Sequence, residues 1–391
     1  MTEHADVVII GGGPIGSALA LALRDTGWQV VVLEARPAAS GDARPLALSY
    51  GSRLILERLD LWPALAGFAT PIRRIHVSQR GGFGRVELDA DEAGMADLGY
   101  VIDYGRLAQG LAAAVATTAV QCRSGAQVTA WQASAPARVE YVIDGESHAM
   151  IAQLVVIADG GAADGGAASG GRADSDAARQ VDYDQCAVTA RVVSERPHNN
   201  IAYERFTRHG PLALLPDGRD WALVWTTTPA RADELHGAEP AQFLDALHAE
   251  FGSRVGAFTA VTARARYPLR LRRTRQPVQD HVVRIGNAAQ SLHPVAGQGF
   301  NLGLRDAWEL GEQLLADHGA DIGSLASLAS YRARRRVDRG GGVAFTHTLV
   351  QLFSNDVLPL RLARGTGLAL LGCIPPLKNF VVRRMTFGTR G

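Results

Sequence analysis

Lysine is nearly missing from this sequence: of 40 Lys and Arg residues, Lys378 is the only lysine. With alanine abundant and 43 glycines alongside, the arginine excess reads as codon bias, so a run of arginines is not in itself a functional signal. Cysteine is scarce too. Cys122, Cys186 and Cys373 lie far apart with no C-x-x-C, which excludes a zinc knuckle and a disulfide framework and suits a reducing compartment. No metal site is expected. Charge of one sign is also lacking: a formal net charge of +1 gives no field that would gather nucleic acid. No apolar run reaches the ~20 residues of a spanning helix. The nearest, Leu368 to Val382, is broken by Pro375, Pro376 and Lys378. Glu3 and Asp6 precede the first apolar run and Gly11-Gly12-Gly13-Pro14 interrupts it, which is not the pattern of a signal peptide. The expected location is cytoplasmic.

What the chain does have is a phosphate-binding start. Asp6 to Ile10 is a short apolar run of strand type. Gly11, Gly13 and Gly16 follow with G-x-G-x-x-G spacing, Ile15 to Asp25 reads as a helix, and Val30 to Leu33 is a second strand ending in Glu34. Gly11 makes the tight turn, Gly13 lets a pyrophosphate approach the backbone, and Gly16 lets helix and strand pack closely. The helix N-terminus offers free N–H groups and about half a unit of positive charge. Glu34, about 20 residues past the turn, is placed to accept ribose hydroxyls. Its carboxylate would repel a 2′-phosphate, so the bound dinucleotide is FAD or NAD. A lone G-x-G-x-x-G means little, but here strand, turn, helix, second strand and acid are all present.

A distant segment narrows the choice. Val282-Val283-Arg284-Ile285 is a strand leading into Gly286, and after Pro294 the run Gly297-Gln298-Gly299 precedes a helix from about Phe300 to Leu315. Glycines there bring N–H groups close to a ligand, and the helix dipole favours negative charge. A reduced flavin carries its negative charge near N1 and the C2 carbonyl, where preorganised donors contribute ~3 kcal/mol each. The plainer reading is a proline–glycine turn that caps a helix. Two remote segments suited to the two ends of one cofactor point to FAD.

The stretch Gly-Asn-Ala-Ala-Gln-Ser-Leu-His-Pro-Val-Ala-Gly-Gln-Gly-Phe-Asn-Leu-Gly-Leu-Arg-Asp, residues 286–306, carries a family resemblance. So do Arg44 to Leu48, Arg106 to Gln109, Glu204 to Thr207, Gly210 to Pro216 and Phe345 to Asn355. The chain resembles the FAD-dependent aromatic hydroxylases (group A flavoprotein monooxygenases), and among them the ubiquinone-biosynthesis hydroxylases. Asn287 and Gln290 are most similar to the 2-polyprenyl-6-methoxyphenol 4-hydroxylase branch. The resemblance implies that Arg44, Arg106 and Gln109 contact FAD and that Asn287 reaches its ribitol or pyrophosphate. It implies Pro294 beside the isoalloxazine and Gly297, Gln298 and Gly299 over its pyrimidine edge. Read alone, Arg44 and Arg106 are ordinary surface arginines. Taken with the glycine turn, the expected cofactor contacts are Gly11, Gly13, Pro14, Ile15, Gly16, Glu34, Ala35, Arg36, Arg44, Arg106, Gln109, Asp159, Gly286, Asn287, Gly299 and Asn301. His293 is an acid–base candidate, although a single His beside Pro is more often structural.

The chain departs from the family at one place. Leu154 to Gly160 supplies the strand and first two residues of an Asp-Gly-x-x-Ser-x-x-Arg motif linked to FAD and the nicotinamide donor, but Ala163 and Gly166 stand where Ser and Arg belong. Asp159 is kept for FAD. Gly161 to Ala178 is low in complexity and reads as a flexible connection or a loop gating donor access. No second G-x-G-x-x-G strand–helix unit is visible, which argues for transient donor binding.

Further on, Ala187 to Val193, Ile201 to Thr207, Leu212 to Leu215 and Trp221 to Thr227 read as short strands, with a hairpin turn at Pro216-Asp217-Gly218. Such a sheet would roof the flavin. Trp225 and Phe206 are candidates for an aromatic pocket, with plain core as the heavier reading. The basic runs Arg264 to Arg275 and Arg332 to Arg339 read as solvated faces. Thr346 to Met385 is apolar and broken by Pro and Gly; it suits a groove or membrane contact for a polyprenyl tail, or packed helices that complete the domain.

At 391 residues the chain has room for about two domains of ~150 residues each. The expected fold is α/β: a discontinuous Rossmann-like FAD domain from 1–75, 100–180 and 275–340, an inserted, mainly antiparallel substrate sheet from 76–99 and 181–274, and C-terminal helices from 341–391. The reaction implied by the resemblance is hydroxylation of a prenylated (methoxy)phenol by NAD(P)H and O2 through a flavin hydroperoxide. Three alternatives stay open: another ring position, a flavin oxidase of the same fold, or a non-catalytic prenyl-lipid-binding assembly subunit. Peripheral contact with the inner membrane, a ubiquinone-biosynthesis complex and a homo-oligomer are open as well.

Overall fold

The computed structural model describes residues 3–36, 42, 44–161, 179–262, 264–291, 297–317, 321–353 and 358–388, with backbone alone for 179–181, 343–353 and 358–363. Expectations on His293, Pro294, Ala163 and Gly166 lie outside the described residues.

The first sheet grows from β1 (Glu3–Ile10), whose Val-Val-Ile-Ile run is buried throughout. A strand between parallel neighbours has no solvent face, so its apolar run is continuous. β2 (Val30–Glu34) and β11 (Glu146–Ile157) are those neighbours; β8 (Gln121–Ser124) and β19 (Val282–Arg284) extend the sheet in parallel. β18 (Val278–Gln279) closes one edge, β10 (Ala137–Ile143) pairs antiparallel with β11, and β9 (Gln127–Gln132) pairs antiparallel with β10. The register sets Ile10 beside Leu33 and Ile157, and Ile157 beside Arg284. The loops that follow these strands therefore leave the sheet at one carboxyl edge, where open α/β sheets bind ligands.

α1 (Pro14–Ala22), α4 (Tyr104–Ala116) and α7 (Gln298–Ala316) cover one face of this sheet around Leu19, Val32, Leu107 and Leu310. α7 crosses α1 closely because its glycines leave room: a Cβ on Gly303 would lie 3.2 Å from the Cδ1 of Ile15, and one on Gly311 would lie 2.9 Å from the Cβ of Ala22. A small sheet of β3 (Pro45–Ser49), β4 (Thr70–Ile72) and β7 (Gly99–Asp103) adjoins them, with α2 (Tyr50–Arg58) and α3 (Trp62–Leu65).

The second large sheet runs in the order β20 (Gln290–Ser291), β17 (Ala265–Arg273), β12 (Arg179–Ser194), β15 (Asp220–Thr227), β14 (Gly210–Asp217), β13 (Ile201–Thr207), β5 (Arg74–Gln79), β6 (Arg85–Asp89), with β16 (Phe258–Val261) also on β12. It is antiparallel except between β13 and β5. The β14–β15 hairpin turns at Gly218, whose φ of +65° suits glycine. α5 (Pro229–Gly237) and α6 (Pro240–Phe251) cover one face through a core of Val188, Leu212, Leu223, Trp225 and Phe243. Trp225 is thus core. α8 (Ala329–Phe353), α9 (Leu358–Cys373) and α10 (Pro375–Phe387) complete the chain. α8 runs unbroken past residue 340, so the expected junction there falls inside a helix.

One expectation is corrected. The run Arg332 to Arg339 is solvated only in part: Arg332 and Arg336 are exposed, but Arg335 and Arg339 point inward, 0% and 4% exposed. Arg335 Nε donates to Asp306 Oδ1 at 2.6 Å, and its Nη1 donates to Asp338 at 2.6 Å and Glu309 at 3.3 Å. Arg339 Nε donates to the same Asp306 oxygen at 3.1 Å. The other Asp306 oxygen accepts the Gly286 N–H at 3.0 Å and Gln290 Nε2 at 3.4 Å. Burial alone would raise the Asp338 carboxyl, but Arg305 and Arg335 outweigh it and hold it below the ordinary value.

Removing one partner from such a cluster leaves the others charged and dry. Arg335→Leu should therefore cost about 3–5 kcal/mol in denaturant unfolding of the apoprotein. A truly solvated arginine would change stability by no more than about 0.5 kcal/mol.

Candidate active site

The glycine turn sits at the carboxyl edge of the first sheet, and its geometry separates the three glycines. A Cβ on Gly11 (φ +106°) would strike the Ala158 carbonyl oxygen at 2.6 Å, and one on Gly16 would lie 2.0 Å from the Gly11 oxygen. These two glycines are needed by the fold itself. A Cβ on Gly13 would meet nothing nearer than Arg36 Nη2 at 4.0 Å. The space over Gly13 is open, as a diphosphate requires. Gly13 is also the N-cap of α1 and Pro14 its first residue, so the N–H that Pro14 lacks is one the helix would not have used. Ile15 wedges between helices, 3.3 Å from where a Gly286 Cβ would lie.

Glu34 Oε2 accepts the Gly12 N–H at 2.7 Å, while Oε1 accepts the backbone N–H and Nε of Arg36 at 2.9 and 3.0 Å. The carboxylate is braced against the turn and keeps lone pairs for hydroxyl donors. Ala35 and Arg36 are exposed beside it. Asp159 follows β11, next to Gly11. Burial raises its carboxyl, opposed by the Gly161 N–H it accepts at 2.9 Å and by nearby Arg272. Gly286 (φ +59°) follows β19, and Asn287 beyond it is exposed. Glu34, Gly11, Asp159 and Gly286 thus line one crevice.

Gly297, at φ +60°, caps α7, and a Cβ there would lie 2.9 Å from the Cβ of Ala47. A Cβ on Gly299 would meet nothing within 4 Å. The space over Gly299 is therefore open beside the N-terminus of α7, which fits the anionic edge of a flavin. Asn301 is a correction. It is 2% exposed; its Oδ1 accepts from Ser49 N–H at 2.8 Å and Ser52 Oγ at 2.6 Å, and its Nδ2 donates to the Ala47 and Gly297 carbonyls at 3.0 and 2.7 Å. All four hydrogen bonds of the amide are taken. Its side chain fastens β3 to the start of α7 and is not a cofactor ligand.

Arg44 lies over the Tyr104 ring at 4.7 Å and pairs with Asp42 at 2.9 Å. Arg106 and Gln109 stand one turn apart on the exposed side of α4, with the Arg106 guanidinium 5.1 Å from the Phe68 ring centre. The Arg264 to Arg275 run is largely solvated, although Arg272 turns towards Gly161.

A pocket of about 70 Å³ adjoins the α7 N-terminus. Gln298 and Asn301 meet Ala47 and Leu48 there, and the apolar wall is Ile72, Ile75, Leu88, Leu98, Val382 and Met385. The sequence motifs did not find this wall. Its residues come from four strands and loops and from α10, and only the fold brings them together.

A dinucleotide crevice, a flavin-edge helix and a sheet roofing an apolar pocket define an FAD-dependent flavoprotein of the aromatic-hydroxylase class. Solved structures share the fold: p-nitrophenol 4-monooxygenase from Pseudomonas putida (TM-score 0.79, 18% identity, all of both chains) and PqsL from Pseudomonas aeruginosa (TM-score 0.76, 20% identity, 93% of this chain and 100% of that one). The FAD binding domain family matches residues 4–339. The chain is 36% identical to the ubiquinone hydroxylase UbiL of Rhodospirillum rubrum (97% of this chain, 89% of the relative). It is 32% identical to the 3-demethoxyubiquinol 3-hydroxylase of Escherichia coli (94% of each). Against the human ubiquinone biosynthesis monooxygenase COQ6 the identity is 30% (96% and 91%). The chain belongs to the FAD binding domain family and, within it, to the ubiquinone-biosynthesis hydroxylases; FAD is its cofactor.

The openness over Gly13 makes a clean test. Gly13→Val should purify folded, with the circular dichroism of the parent protein and no yellow colour, because the added branch occupies the pyrophosphate path and nothing else. Retention of stoichiometric FAD, read from the visible spectrum, would refute this assignment.

Proposed function

We propose that this enzyme hydroxylates a prenylated (methoxy)phenol in ubiquinone biosynthesis, with NAD(P)H as electron donor and O2 as oxidant. The observation that carries the reading is the apolar pocket against the first turn of α7, a cleft of about 70 Å³ beside the place of the flavin edge. Its lining of Ile, Leu, Val and Met side chains suits a prenylated ring. Bound FAD supplies the oxygen activation; the protein binds, orients and keeps water out. The first-turn N–H groups of α7 hold negative charge at the pyrimidine edge, with Gly297 fixing their direction. Gly11, Gly13 and Glu34 hold the adenosine half, and Asp159, Gly286 and Asn287 the middle of the cofactor. Arg44, Arg106 and Gln109 close over it.

The place of work in this proposal is the cytoplasmic surface of the inner membrane. Two observations favour the membrane contact. Leu370, Ile374, Leu377 and Phe380 are 54%, 42%, 44% and 61% exposed around the bend between α9 and α10. On α10 the Arg383 side chain is exposed as well, a charge that complements anionic lipid. Among the described residues no single helix is long and apolar enough to cross a membrane, and the α9–α10 pair is bent by 101°.

The decisive assay follows NAD(P)H consumption by the FAD-loaded protein in air, with and without a short-chain prenyl-methoxyphenol, with the phenol read by mass spectrometry. Substrate-stimulated consumption and a gain of one oxygen atom are expected, and the product's substitution pattern gives the ring position. A flavin that stays oxidised under both donors would overturn the proposal in favour of a lipid-binding subunit. For the membrane contact, the protein should float with vesicles containing anionic lipid, and Leu377→Glu/Phe380→Glu should not. Equal flotation of the two proteins would remove α10 as the contact.

A further inference from the structure

The roof sheet carries a carboxylate for which the reading so far has no use. On β13, Tyr203 packs into the core under α6, and Arg205 Nε donates to the Glu250 carbonyl of α6 at 3.1 Å. Ala202, Glu204 and Phe206 alternate with them and so face the other way. Ala202 clusters with Ile72, and Phe206 with Leu88, Leu98 and Val382. Those four partners are walls of the pocket. Glu204 lies between Ala202 and Phe206 on the same face. The register continues this row across the sheet as Thr189, Val224, Ala213, Glu204, Val77 and Val86. Glu204 is the one ionisable side chain in the row.

From this placement we propose that Glu204 is a catalytic residue that accepts the phenolic O–H of the substrate. The inference rests on the phenol reading above. Glu204 is half-buried, and among the described residues loss of water is the one influence on its carboxyl, which it pushes up to about 7. Among the described residues, the following charged groups stand on the surrounding elements. Arg74, His76 and Glu87 share the opposite face with Tyr203. Arg335, Asp338 and Arg339 of α8 are tied to α7. On α9 and α10, Lys378 pairs with Glu92, Arg364 is buried, Arg383 is exposed, and Arg384 lies beside Gly341.

In the step assigned to it, the phenolic O–H bond breaks and the proton passes to a Glu204 oxygen. The electron pair left behind enters the ring, and the ring carbon uses it to bond one oxygen atom derived from O2; the O–O bond breaks with its pair on the other oxygen, which takes up protons and leaves as water. That carbon then loses its own hydrogen as a proton, and Glu204 returns the first proton to the phenolate. O2 and NAD(P)H remain the oxidant and reductant of the parent reaction.

The test compares wild type, Glu204→Gln and Glu204→Asp as FAD-loaded proteins with 2-prenyl-6-methoxyphenol. Wild-type kcat/KM should fall as pH drops through about 7, where the carboxylate takes up its proton. Glu204→Gln should lose about 100-fold in kcat and lose that acidic limb, while Glu204→Asp keeps the limb. A readout independent of turnover is the ultraviolet difference spectrum of the bound phenol. The phenol should ionise at higher pH in wild type than in Glu204→Gln, since two like charges resist sharing one site. A Gln variant with wild-type rate, pH profile and phenol spectrum overturns the role of Glu204 alone. A wild type that binds this phenol without oxygenating it overturns the phenol reading and the inference with it.

Discussion

The carboxylate of Asp306 is the joint on which the flavin-facing half of the molecule depends. One oxygen takes Arg335 and Arg339 from α8; the other takes the backbone N–H of Gly286 at the end of β19. A sheet edge, the helix that meets the flavin and the first C-terminal helix are thereby fixed to a single fully buried side chain. Charges this deep persist only when each has its partners, so the cluster forms as a unit or not at all. Two features follow from it. Gly286 is held where a left-handed residue can pass beneath Ile15, and α7 is held where its first turn meets the pocket.

Much of this was legible in the chain. Strand, glycine turn, helix and Glu34 are local events, and local chemistry dictates them. The same is true of the Gly297 to Gly299 turn, where a positive φ and a 2.9 Å approach to Ala47 leave no alternative to glycine. The roof strands announced themselves by alternation and by Gly218.

What the chain hid was partnership at long range. Arg335 and Arg339 looked like solvent arginines because composition gives an arginine no direction. Only Asp306 and Glu309, acids three apart on the apolar side of α7, hinted that something basic must come to meet them. Asn301 looked like a ligand because it follows the glycine turn, yet three of its four amide hydrogen bonds go to β3 and α2, elements some 250 positions away. The wall of the pocket was equally hidden, since no motif joins Ile75 to Val382.

The crevice draws one strand end from the first forty residues and another from beyond residue 280, with β11 between them. During synthesis the adenosine half of the site can be complete while the flavin half is still unmade. Pairings of this span close slowly, and no short run of the chain carries both halves of the crevice.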